Sequence, residues 1–178
     1  MGNNNTKDVP DPSSGLTPRQ KDAIRESWKL MDKHQKMIGT KFFVKFFSEN
    51  PTYTQTFTRF RHVTLDDLPN NKALQAHAVT FMKGMGTLVE NVDDLECMDE
   101  LLYKIATRHH PFGLKASDLH KGTDMFAETL MDLENNMFET LEYPPEFVVA
   151  SWKKAFDVII PIVGEYIDDL QRAEDECL

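Results

Sequence analysis

Residues 105–113 read Ile-Ala-Thr-Arg-His-His-Pro-Phe-Gly, which sets His109 beside His110 just before a proline. Imidazole is the commonest metal ligand and the usual acid or base near neutral pH, so the pair invites both readings. Helical geometry separates them. At about 100° per residue, with Leu101 as origin, His109 falls at about 80°, in the middle of an apolar stripe of Met98, Leu101, Leu102, Ile105 and Ala106. His110 falls at about 180°, on the edge of the stripe. Pro111 pushes the residue before it out of the α region, so His110 marks the helix end and His109 belongs to its last turn.

A third histidine, His77, lies at the margin of another apolar stripe, beside Phe81 and with Leu74, Met85, Leu88, Val89 and Val92 on the same face. Taken singly, each histidine is served as well by a core ring bonded to a backbone carbonyl. Taken together, two helices each present one imidazole toward apolar surroundings, with Phe43, Phe57 and Phe60 available as flat wall material. That set suits an iron porphyrin, a large apolar plate whose metal accepts imidazole. Zinc fits less well, because His109 and His110 diverge by about 100° on a helix and neither HExxH nor CxxC occurs. No GxSxG elbow or phosphate-binding loop occurs, and Gly84-Met85-Gly86 sits inside a helical pattern with no strand before it. The acidic corner Asp93, Asp94 and Glu96 lacks the alternating oxygen ligands of a calcium loop and reads as a solvated turn.

These residues must be positioned by helices. Thr17-Pro18 reads as an N-cap with proline in the first turn, followed by Ile24, Trp28 and Met31 at helical spacing to about Lys33. Further helices are expected over about 35–49, 71–91, 95–110, 115–140 and 145–172, with a short helical turn opened by Pro51 and a polar connection over Asp66–Asn71. Pro161 lies inside the last of these and predicts a kink. No strand alternation or hairpin signal stands out, so the class is all-α.

The chain of 178 residues has the length of one domain, divided here into a tail at 1–15 with nothing to pack, a domain over 16–172 and an acidic tail at 173–178. A net charge of −9 argues against a nucleic-acid partner, because phosphate binding needs clustered Lys and Arg. Two widely separated cysteines, Cys97 and Cys177, point to a reducing compartment, and no spanning segment or secretory signal is visible, so a cytoplasmic protein is expected. Met1-Gly2-Asn3-Asn4-Asn5-Thr6 fits the pattern for myristoylation of Gly2, which would give loose peripheral attachment to the inner face of the plasma membrane.

The constellation resembles a globin over essentially all of residues 16–172. Trp28 resembles the tryptophan of the first globin helix and Pro51 the proline that opens the third. Phe57 and Phe60 resemble the aromatic pair at the corner after it. Ala76-His77-Ala78 resembles the distal-histidine helix, and Ile105-Ala106-Thr107-Arg108-His109 with Gly113-Leu114 resembles the proximal-histidine helix and its turn. The resemblance implies about eight helices in a three-over-three arrangement around one haem b (iron protoporphyrin IX), crossing at about 50°. By it, His109 is the proximal iron ligand and His77 the distal histidine, with Phe43 and Phe81 over the distal side. Ile105 and Leu114 are proximal contacts and Leu119 a further one.

The separation of His77 and His109 and the lipidation-like start are similar to neuroglobin-like and globin X-like chains, where the distal histidine itself binds iron. The expected function is reversible binding of O₂, CO, NO or similar ligands at haem iron. His77 is expected as sixth ligand in the resting state, with a redox or signalling role served by an electron-donating reductase. Nitric oxide dioxygenation and nitrite reduction are secondary chemistries open to such a site. The alternative is a pentacoordinate globin for O₂ storage or transport. A globin-fold module without haem, acting through protein contacts, is a third reading that both histidines and both corner phenylalanines disfavour.

Overall fold

The computed structural model describes residues 8–133, 137, 138 and 140–177, and among them every regular element is helical. Six α-helices follow in order: α1 (Pro18–Met31), α2 (Gln35–Glu49), α3 (Lys72–Glu90), α4 (Leu95–His109), α5 (Ala116–Met131) and α6 (Pro145–Glu176). Short 3-10 turns at Asp32–His34, Pro51–Thr56, Leu68–Asn70 and His110–Phe112 join them. Gly2 lies outside the described residues.

Local chemistry explains the helix starts. The Thr17 hydroxyl accepts the Gln20 N–H at 3.1 Å while the Gln20 side chain accepts the Thr17 N–H at 2.9 Å, and Pro18 fills the first helical position where no N–H is needed. The Asn71 side chain accepts from Ala73 and Leu74 at the start of α3, and Asp94 accepts from Cys97 at the start of α4. After α4, Gly113 takes the left-handed conformation at φ 66°, which lets the chain turn toward α5.

Packing decides which faces are buried. α2 lies on α3 and α5, α6 gathers α1, α4 and α5, and α1 also reaches α3. The α2–α3 approach is close because Gly39 has no side chain: a Cβ there would stand 2.9 Å from the Ala78 carbonyl oxygen and 2.9 Å from Met82 Cγ. Trp28 from α1 lies over Gly86 of α3, and Trp152 from α6 stands 6.1 Å from Trp28 while its indole N–H donates to Ser27 at 3.0 Å. That bond satisfies the polar atom a buried tryptophan brings with it.

Several expectations change. The helix expected to run to Thr140 ends at Met131, where Lys41 donates to the Asp132 carbonyl and Lys45 pairs with the Asp132 carboxylate. Two α2 lysines thus hold the end of α5, a constraint no local pattern carries. α6 runs past Arg172 to Glu176, through residues expected as an acidic tail. Pro161 lies inside α6, and its ring and Asp157, whose carbonyl it leaves without a helical partner, both lie on the exposed face.

The segment before α1 was expected to have nothing to pack, yet over residues 11–16 it forms a closed loop. The Asp11 N–H donates to the Leu16 carbonyl at 2.9 Å, the Gly15 N–H donates to the Asp11 carbonyl at 2.8 Å, and Ser14 is buried. Lys21, 6% exposed, holds Asp11 at 2.8 Å and Asp93 at 3.0 Å, and Arg25 also pairs with Asp93. Asp93 is therefore part of an ion-pair clasp rather than a free solvated turn residue.

Gly39→Ala is expected to lower unfolding free energy by about 1–3 kcal/mol through overpacking at the α2–α3 approach. Gly84→Ala, whose Cβ would meet nothing within 4 Å, should instead raise it by about 0.5–1 kcal/mol. Denaturant titration of both variants checks the pair, and equal shifts would refute the close approach.

Candidate functional site

The site grows from α2. Phe42, Phe43, Phe46 and Phe47 are buried there at helical spacing, and their rings interlock. Phe47, fully buried, meets Phe57 at 5.2 Å and Phe60 at 5.7 Å, so the corner after the Pro51–Thr56 turn is pinned to α2 by rings. Phe57 and Phe60 stack at 4.8 Å with 19° between their planes. Such pairs each add about 0.5–1.5 kcal/mol beyond their buried area, which makes the corner one of the stiffer non-helical parts of the chain.

His77 projects from α3 into this aromatic group. Its ring lies 4.7 Å from Phe43 and 4.8 Å from Phe57, the latter edge-on. Phe81, one turn further along α3, stacks on Phe42 at 4.9 Å and meets Phe43 edge-on at 5.3 Å. Burial holds the pKa of His77 below the ordinary value, and the nearby charge of His109 lowers it further.

His109 closes α4. Its Nδ1 stands 2.7 Å from the Ile105 carbonyl oxygen. A carbonyl can only accept, so Nδ1 donates in this bond, which fixes the ring and leaves Nε2 on its far side, the orientation a ligating histidine needs. Ile105 and Leu119 are half-buried and pack on the core, while Leu114 is half-buried without joining it. Phe43, Phe57, Phe60, His77 and Phe81, the residues expected on the distal side, are thus bound together by direct ring contacts. Ile105 is tied to His109 by its carbonyl, and Leu114 and Leu119 follow in the turn and helix after it.

His110 differs from its expected place at the edge. Its side chain is only 10% exposed, its Nδ1 lies 3.7 Å from a Glu174 carboxylate oxygen, and its Nε2 is buried with no hydrogen-bond partner among the described residues. The 3-10 turn that begins at His110 carries the ring against α6. Phase along α4 could not show this, since the turn leaves the helix at that residue.

The donor set was compared with what a metal needs. Among the described residues no three His, Cys, Asp or Glu side chains gather as a cage for a bare ion. One imidazole from each of two helices would instead suit a metal that brings its own equatorial ligands inside an apolar plate. The interlocked phenyl wall supplies apolar faces for such a plate, so the residues present fit haem.

Sequence reasoning missed Phe42 and Phe47, which hold Phe81 and Phe57 from behind, and Tyr53. The Tyr53 hydroxyl donates to Asp118 on α5, tying the Pro51–Thr56 turn to the helix after α4. Aromatic density in α2 was the available signal for the first two. The partner of Tyr53 is 65 residues away, beyond any local pattern.

Comparison with known proteins places these features. The family model described as Globin matches residues 40–163. Hemoglobin-3 of Phacoides pectinatus is 32% identical over 121 residues, covering 67% of this chain and 79% of that protein. Hemoglobin-2 of the same organism is 29% identical over 160 residues, covering 87% and 97% respectively. The solved structure of hemoglobin from the botfly Gasterophilus intestinalis aligns with TM-score 0.71 at 19% identity, covering 84% of this chain and 97% of that chain.

The position of α4 against α6 is set in part by Tyr166, whose hydroxyl donates to Asp99 at 2.6 Å. That bond, with a smaller effect of burial, pushes the Tyr166 pKa up to about 12. The contact therefore contributes below the unfolded tyrosine value of about 10 and is lost as pH rises through about 12. Alkaline spectrophotometric titration of Tyr166→Phe should lack the highest tyrosine step; an unchanged curve would mean that the bond is not formed in solution.

Proposed function

Because the chain belongs to the globin family, and so binds haem b and small gaseous ligands such as O₂, we propose that it is a hexacoordinate globin with a redox or signalling role. In this role His77 occupies the sixth iron position until a gas displaces it. The observation that carries the reading is the setting of the two imidazoles: His77 projects among the rings of Phe43 and Phe57, and His109 is fixed through Nδ1 by the Ile105 carbonyl, which leaves its Nε2 for a metal.

Haem iron supplies the gas-binding and one-electron chemistry. The chain's own residues do the rest. His109 offers its Nε2 lone pair while the Ile105 carbonyl fixes the ring and its tautomer. His77 offers a neutral nitrogen for the same metal or a hydrogen bond to a bound gas. Phe43, Phe57 and Phe81 keep water from the distal side, which slows oxidation and proton entry. Ile105, Leu114 and Leu119 are the apolar contacts of the proximal side. Competition by His77 lowers apparent gas affinity in proportion to the fraction of open sites, a cost that suits electron exchange or sensing better than bulk O₂ transport.

An electron-donating reductase is the partner this role requires, and nitric oxide dioxygenation or nitrite reduction are the turnovers it would support. The Met1–Thr6 pattern supports a cytoplasmic protein loosely held at the inner face of the plasma membrane through a myristoyl amide on Gly2.

The absorption spectrum of the deoxygenated ferrous protein tests the reading. Sharp, split visible bands are expected for the native chain and one broad band for His77→Leu, with CO association faster by at least about tenfold in the variant if open sites are a tenth or less of the total. A single broad band in the native chain would make it a storage or transport globin instead. His109→Ala should lose haem on gel filtration, and retention would remove the proximal assignment.

A further inference from the structure

Away from both histidines, α1, α3, α4 and α6 line a partly open apolar pocket. A cavity of about 210 Å³ is walled by Met85 and Val89 from α3, Met98 and Leu102 from α4, and Phe156 and Ile159 from α6. Ser13 and Ser14, from the loop clasped by Lys21, lie at one side of it. Packed interiors hold few voids larger than a water molecule, and an apolar cavity of about 150 Å³ admits benzene while staying dry. By that measure this space takes on the order of eight carbon atoms.

The polar groups in its wall define the rest of the ligand. Among the described residues the only charged side chain in the wall is Asp99, whose carboxylate already accepts the Tyr166 hydroxyl. The nearby cation, Lys21, is committed to Asp11 and Asp93. A carboxylate-bearing ligand would meet a negative wall and no free cation. A hydroxyl would find oxygen acceptors in Ser13, Ser14 and Asp99.

We propose that this cavity is a binding site, separate from the iron, for a neutral molecule of about eight carbons that carries one hydroxyl group, of the alkanol or small phenol class. Hydrocarbon fills the space between Met85, Met98 and Ile159, and the hydroxyl lies toward the serine loop. The clasp of Asp11, Lys21 and Asp93 holds that loop over the ligand. The site stands whether or not His77 binds iron.

The test uses the full haem-loaded chain in its diamagnetic ferrous CO form, with ¹³C-labelled methionine methyl groups, titrated with 1-octanol and separately with octanoate. Saturable shifts are expected at Met85 and Met98, with no change at Met37 and Met131, which are each 53% exposed. Octanoate should bind at least about tenfold more weakly, a difference of one decade in Kd. Ala155→Phe, which fills the space from α6, should abolish the octanol shifts, and Val92→Phe repeats the test from the opposite wall if the first variant does not fold. Shifts at Met37 and Met131, equal binding of octanoate, or a moved Soret band with Met85 and Met98 unchanged would each overturn the proposal.

Discussion

The close crossing of α2 over α3 is the constraint on which the candidate site depends. Gly39 lets the two backbones approach until its position lies against the Ala78 carbonyl and Met82. That approach lays Phe43 against His77 and Phe42 against Phe81, and the same α2 rings reach back to fix Phe57 and Phe60. A side chain at position 39 would separate the helices and loosen every one of these contacts together, because rings stacked in series share their displacements. His77 is thereby set into a continuous group of aromatic rings.

The surroundings of His109 are built on another principle. His109 is oriented by one bond to a carbonyl in its own helix, and the position of α4 is left to α6. The Tyr166–Asp99 bond ties these helices at one level and the 3-10 turn after His109 ties them at another. Between α4, α3 and α6 the packing is incomplete, and the cavity there adjoins the helix that carries the proximal histidine.

The clasp shows how far a short pattern can mislead. Asp93 belongs to a run of acids that reads as a solvated corner, yet Lys21 and Arg25 converge on it from α1. Lys21 is nearly buried and remains protonated because Asp11 and Asp93 oppose the desolvation that would otherwise lower its pKa. The three groups close a loop, hold α1 to the corner after α3 and cover one side of the cavity.

Helical phase and caps were legible in the sequence. Thr17 with Pro18 announced the first helix, and the periodicity around Leu101 separated His109 from His110, since these signals involve residues within one or two turns of each other. The family resemblance added the expectation that His77 and His109 serve one metal, which periodicity alone leaves open. The tertiary structure decided the rest: the end of α5 at Met131 under Lys41 and Lys45, the burial of His110 against α6, the Asp11–Lys21–Asp93 clasp and the cavity behind α4. Each of these joins residues far apart in the chain, where burial and charge partners are set by helix crossings, and no local spacing encodes which distant side chain will arrive.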